Sequence, residues 1–239
     1  MKAFIKYLII LLYMTSHLTA NATHKVFVLH GWANTKLIMT KVCKDLDRAG
    51  FDYINYHYPS FKEELDSLGK NLYLEVKKQK IDSVSFVTFS MGGLVFRNML
   101  KYAYQDDDFP NIFRVVMIAP PNQGADIADF FKNSELFHKF LGPNVKPMET
   151  DSNSYVHTLP IPKNCNVGVI VGARKNPHGF NPFIEGDNDG LIKPEHTLLG
   201  NETDVIIFKL NHLALVNRKK SRKMVVKFLQ KGYFNEKNK

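Results

Sequence analysis

A serine followed by two glycines, Ser90-Met91-Gly92-Gly93, stands between the apolar run Val84 to Phe89 and the helical pattern Leu94, Val95, Met99 and Leu100. A strand that turns this sharply into a helix lifts the serine out of the sheet, and small neighbours are needed because backbones meet closely there. The amide end of the helix then favours negative charge beside the hydroxyl. Such a serine can attack a carbonyl carbon, but only if a base takes its proton and an acid fixes the tautomer of that base. Asp187 and Asp189, in Glu185 to Ile192, and His212, in Leu210 to Ala214, follow later apolar runs and are the candidates. An oxyanion also needs two backbone donors, one after the nucleophile and one from an early strand-end loop, and the amides of Met91 and Trp32 are so placed. A buried serine at a helix start is the structural alternative.

The elements that would hold these groups follow from the pattern of apolar residues. Val26 to His30, Tyr53 to Tyr58, Val84 to Phe89, Arg114 to Ala119, Val167 to Gly172 and Val205 to Leu210 predict strands, and several of them are near-continuous apolar runs, as strands buried on both faces should be. Between them, Ile38, Val42, Leu46 and Ala49 share one helical face that ends at Gly50. Leu65, Leu68, Leu72 and Val76 share another, which Ser60 and Glu63 would open as a capping box. The alternation predicts an α/β domain, a mostly parallel sheet of about six strands with helices on both faces. Two connections are longer than usual, Pro120 to Pro162 and Arg174 to His196, and long loops at one sheet edge tend to carry function.

The chain resembles the lipase-type α/β-hydrolases, particularly bacterial esterase and triacylglycerol-lipase-like members, over nearly all of the sequence after residue 22. His30-Gly31 after the first strand, Ser90 in Thr88 to Gly93, Ala119 to Gly124 (APPNQG), Asn188 to Ile192 (NDGLI) and Asn211 to Leu213 (NHL) occur in the family's order. Thr88 stands where the first glycine of G-x-S-x-G usually does. The resemblance implies Ser90 as nucleophile, His212 as general base and Asp189 as orienting acid, with Asp187 the competitor. Asp189 is preferred because it precedes Gly190, as in the family's Asp-Gly motif. It further implies a lid or insertion at 120–162, so that Phe130 and Phe131, with Phe137 and Phe140, would line an acyl pocket. Packing of a surface helix is the other use of that spacing. The expected substrate is a carboxylic ester of a lipid or another acyl group. Thioesterase, amidase or acyltransferase activity, or binding without catalysis, are alternatives on the same scaffold.

Cofactors and metals are not expected. His57, His138, His157, His178 and His196 lack a companion at zinc-ligand spacing, and His30 reads as part of a structural turn. Calcium-dependent relatives carry an aspartate where Ala214 stands, and Asp187 with Asp189 cannot supply the roughly six to eight oxygens calcium takes.

Residues 1–22 read as an export leader: Lys2 and Lys6, the short apolar run Tyr7 to Tyr13, then Ala20-Asn21-Ala22. Seven apolar residues are far short of the ~20 needed to span a bilayer. The expected mature chain is a single domain over 23–239, periplasmic or secreted. The 32 Lys and Arg against 23 Asp and Glu give +9, and loss of Lys2 and Lys6 leaves +7. No phosphate-binding glycine loop, zinc spacing or aromatic-basic RNA motif accompanies that charge, so nucleic acid is not the expected partner. The cations Arg218, Lys219, Lys220, Arg222 and Lys223 form either a solvated helix face or a contact with an anionic envelope surface. In an exporting compartment Cys43 and Cys165, the only two cysteines, are able to pair or to stay as buried thiols.

Overall fold

A computed structural model of the protein describes residues 23–131, with the side chain of Phe131 excepted, 143–144 and 146–236. The expected leader at 1–22 and the aromatic pair Phe137 and Phe140 lie outside the described residues. The six β-branched runs form six strands: β1 (His24–Leu29), β2 (Tyr53–Tyr56), β3 (Ser83–Phe89), β4 (Asn111–Ile118), β5 (Asn166–Gly172) and β6 (Asp204–Phe208). All pair in parallel, in the order β2-β1-β3-β4-β5-β6. Because side chains alternate along a strand, each run feeds both faces. Phe27, Leu29, Phe86, Val115, Met117 and Val169 point into one core, and Val26, Val28, Val87, Phe89, Val116 and Ile170 into the other.

Helices cover both faces. On the first lie α2 (Leu65–Lys78) and α3 (Gly92–Ala103), burying Leu68, Leu72, Val76, Leu94, Val95 and Met99. On the second lie α1 (Thr40–Arg48), α5 (His212–Asn217) and α6 (Lys219–Lys231), burying Val42, Leu46, Leu215, Val225 and Phe228. A short helix, α4 (Asp126–Phe131), follows β4. None of the described helices is long and apolar enough to cross a membrane.

One expectation is corrected, and the open alternative for the two cysteines falls to free thiols. Ser60 and Glu63 do not cap α2, which starts at Leu65 after an extended Glu64 without a side-chain cap. Their carbonyls are instead taken by the Asn144 amide at 3.0 and 2.7 Å, and the amides of Lys62 and Glu63 turn back to Pro59 O. Cys43 and Cys165 are both free thiols. Cys43 packs in the core behind α1 while Cys165 packs on the opposite core, so the sheet separates them. Burial pushes each thiol up to about 11, which keeps both protonated and unreactive at neutral pH.

Candidate active site

The strand order reverses between β1 and β3: the chain leaves β1 toward β2 and returns on the other side at β3. In open parallel sheets the crevice beyond the carboxyl ends at such a point is where ligands bind. His30-Gly31-Trp32 follows β1 there and Ser90 follows β3. The two turns touch, since a Cβ on Gly31 would lie 3.0 Å from the Ser90 Cβ.

Ser90 holds φ at +53°, a left-handed value that a side chain resists and that the surroundings must impose. Its amide donates to Ile118 O at 2.9 Å, and its carbonyl accepts Gly93 N at 2.9 Å. A Cβ at Gly92 would come within 2.6 Å of His30 O, and one at Gly93 within 2.9 Å of the Pro120 side chain, so neither position has room for a side chain. Thr88 is fully buried in place of the usual glycine. Its Oγ1 would lie 3.5 Å from a Cβ at Gly93, an ordinary contact, so the turn accommodates threonine at this position.

The amides of Trp32 and Met91 donate to no protein acceptor among the described residues. Trp32 is half-buried, its ring 5.9 Å from that of Phe61. His30 is occupied: Nδ1 donates to Gly31 O at 2.9 Å, Nε2 faces Tyr58 N at 3.5 Å, and the ring stacks on Tyr58 at 4.1 Å. Burial holds its pKa below the ordinary histidine value, as suits a structural imidazole.

His212 opens α5, whose first turn is capped by Asn211 Oδ1 accepting Ala214 N at 2.9 Å. The imidazole is buried, 4.9 Å from the ring of Phe89, the residue before Ser90. Its Nδ1 lies 2.6 Å from Asp189 Oδ2, and its amide donates to Asp189 O at 2.8 Å. Asp189 is 1% exposed, and its Oδ1 accepts Leu191 N and Ile192 N, each at 3.0 Å. Gly172, ending β5, lets these turns converge: a Cβ there would meet the Asp189 Cβ and Leu210 O at 2.8 Å. Asp187 is engaged elsewhere, accepting Arg174 N and Lys175 N at 2.8 and 2.9 Å. A carboxylate against Nδ1 favours the tautomer that carries its proton there, which would leave Nε2 for proton exchange.

Phe130 is 61% exposed on α4 and its ring lies 6.1 Å from that of Phe183, itself 79% exposed. Phe131 ends the same helix, and its side chain lies outside the described residues.

Three polar residues of this region were given no role of their own by the sequence. Arg97, buried in α3, donates to Asn122 O, Val156 O, Leu159 O and Pro160 O at 2.8–3.1 Å, fastening Asn122 and the 156–160 stretch to the helix that follows Ser90. Burial lowers its pKa to about 10. An arginine and an asparagine inside an apolar helical run were the available signal. Asn188 is fully buried and binds Asn181, Ile184, Gly186 and Gly190, closing the 174–191 loop on itself.

The third, Asp126, pairs with His196 Nδ1 at 3.0 Å. Burial pushes the Asp126 carboxyl up, but the bonds from His196 and Lys193 N outweigh it and leave it below 3.8. The bond to Asp126 raises His196 above 6.5 against partial burial, with Glu195 adding to it and Lys193 opposing. The histidine's contribution to stability is therefore complete below pH 6.5 and is lost as pH rises through its folded value. The aspartate's is present above 3.8 and is lost as pH falls through its own. The difference in Tm between wild type and His196→Gln is expected to be largest between about pH 4 and 6.5 and to shrink above. Calorimetric scans over a pH series measure it.

No family model matches the sequence, and no curated protein does. Solved structures do. The mature lipase BlEst2 of Bacillus licheniformis superposes with a TM-score of 0.63 at 16% identity, over 90% of this chain and 94% of that one. The metagenomic carboxyl esterase MGS0156 gives 0.60 at 14% identity, over 82% and 66%. An extracellular α/β-hydrolase from a Paenibacillus species gives 0.52 at 16% identity, over 88% and 99%. With six parallel strands, helices on both faces and a serine turn at the switch point, the chain has the α/β-hydrolase fold.

Proposed function

We propose that the protein is an exported serine hydrolase that cleaves carboxylic esters of lipids or other acyl groups through Ser90, His212 and Asp189. The observation that carries this reading is the 2.6 Å His212–Asp189 bond, held beside Phe89 and the left-handed Ser90 turn. Ser90 Oγ attacks the acyl carbon while His212 takes its proton, and the Trp32 and Met91 amides hold the oxyanion. His212 then protonates the departing alcohol, and water, deprotonated by the same imidazole, releases the acid from the acyl-enzyme. The lipase, esterase and phospholipase names of similar folds favour this class of substrate. Phe130 and Phe183 offer apolar surface for the acyl chain.

A fluorophosphonate probe tests the reading. Ser90 Oγ forms the bond to phosphorus as the P–F bond breaks and fluoride leaves, with an intact-mass shift on one site. A folded protein that is never labelled overturns it in favour of a binding module.

Export rests on residues 1–22. An anionic envelope surface is the proposed peripheral partner. Arg218, Lys219, Lys220 and Lys223 are exposed and have no carboxylate partner among the described residues, whereas Arg222 is taken by Asp45 at 2.7 Å. Vesicles containing phosphatidylglycerol are expected to co-sediment with the protein at low salt, and Lys219→Glu with Lys220→Glu to abolish this. Equal binding to purely zwitterionic vesicles counts against it.

A further inference from the structure

The Asp189 carboxylate is gripped by the turn that follows it, and that turn leans on the segment after β4. Ile127 N donates to Leu191 O at 3.1 Å, and Asp126 Oδ2 accepts Lys193 N at 2.8 Å. The same oxygen faces His196 Nδ1 at 3.0 Å, and Lys193 Nζ lies 3.6 Å from Oδ1. One carboxylate, 9% exposed, therefore binds three groups of the loop that supplies both amides to Asp189. The segment carrying Asp126 is itself fixed to the serine helix. Arg97 donates to Asn122 O at 2.9 Å, Asn122 Nδ2 donates to Thr197 O at 2.8 Å, and Gln123 N donates to His196 O at 2.9 Å. A continuous hydrogen-bonded strut thus runs from α3 through Asn122 and Asp126 to the Leu191–Lys193 turn.

We propose that Asp126 is a positioning residue for Asp189, holding the Leu191 and Ile192 amides where they fix the carboxylate that orients His212. The inference rests on the Ser90–His212–Asp189 reading. Asp189 reaches His212 through one oxygen and its own turn through the other, so a shift of that turn swings the oxygen bonded to the imidazole. Misplacement by about 1 Å is enough to cost about 100-fold in rate. Asp126 opens the helix that carries Phe130, so a rise in KM with kcat unchanged would report the acyl surface and overturn the proposal.

Asp126→Ala is expected to lower kcat by about 100-fold and Asp126→Asn, which keeps an acceptor for Lys193 N, by about 10-fold, with KM within about twofold. Fluorophosphonate labelling should slow in step. In an Asp189→Asn background Asp126→Ala should change kcat by less than about twofold, since a residue acting through Asp189 has nothing left to orient. Full additivity of the two substitutions overturns the proposal, as it would report general destabilisation. If Asp126→Ala does not fold, the isosteric Asp126→Asn decides, and labelling at the wild-type rate overturns the proposal. A wild type that labels normally, with Asp126→Ala labelling equally fast, removes this inference alone. A folded wild type that never labels removes the triad reading and this inference with it.

Discussion

Ser90→Ala is expected to lower kcat for a short-chain aryl ester by about 10⁶-fold while leaving Tm within a few degrees of the wild type. The size of the loss follows from chemistry that no neighbour replaces. With the hydroxyl gone, no covalent intermediate forms, and water must attack with only the oxyanion donors and substrate binding to help. Stability should hold because alanine removes one oxygen and leaves the enforced backbone as it was. Its φ of +53° is imposed by the Ser90 N bond to Ile118 O and by the close approach of Gly92 to His30 O, neither of which uses the hydroxyl. Steady-state turnover and a thermal melt on the same preparation check both halves. Undiminished turnover would assign the chemistry to another residue.

Asp189→Asn is expected to lower kcat by about 10⁴-fold, and Asp187→Asn by no more than about threefold. The contrast is the informative quantity, because the two aspartates are two residues apart and both sit at the end of the loop after β5. Only Asp189 faces the imidazole, at 2.6 Å, and only there would an amide NH₂ oppose the Nδ1 proton and favour the wrong tautomer. Asp187 accepts two backbone amides of the Arg174–Lys175 turn, which asparagine still does through its single oxygen for one of them. Equal losses would show that the loop as a whole, and not one carboxylate, supports the base.

The inner strands were legible because strands buried on both faces must be apolar at nearly every position, whereas the edge strands β2 and β6 are only partly buried and left a weaker mark. The serine turn was legible for a similar reason: Gly92 and Gly93 are where backbone and side chains leave no room, and sequence records that directly. Choosing Asp189 over Asp187 needed a motif, since composition and spacing treat the two alike. The contacts of Asp126 with His196 and Lys193 span 70 and 67 residues, and those of Arg97 with the 156–160 segment about as many. Such pairs leave no periodicity, so they emerge only when the chain is folded. The capping box failed for an opposite reason. Its local pattern was present, but Asn144 took the carbonyls of both residues and the helix began later.

The strand order described above also governs when the site can exist. Every strand pairs in parallel, so each pairing closes a long loop before it gains any contact, and such sheets form slowly. The turn at His30 must meet the turn at Ser90, and the loop at Asp189 must then meet His212. No fragment short of the chain from β1 to α5 holds all of these groups. On the proposed mechanism, labelling of Ser90 would therefore serve as a clock for the folding of the whole sheet: in a refolding experiment it should be the last signal to return, after helix content and after burial of the cores.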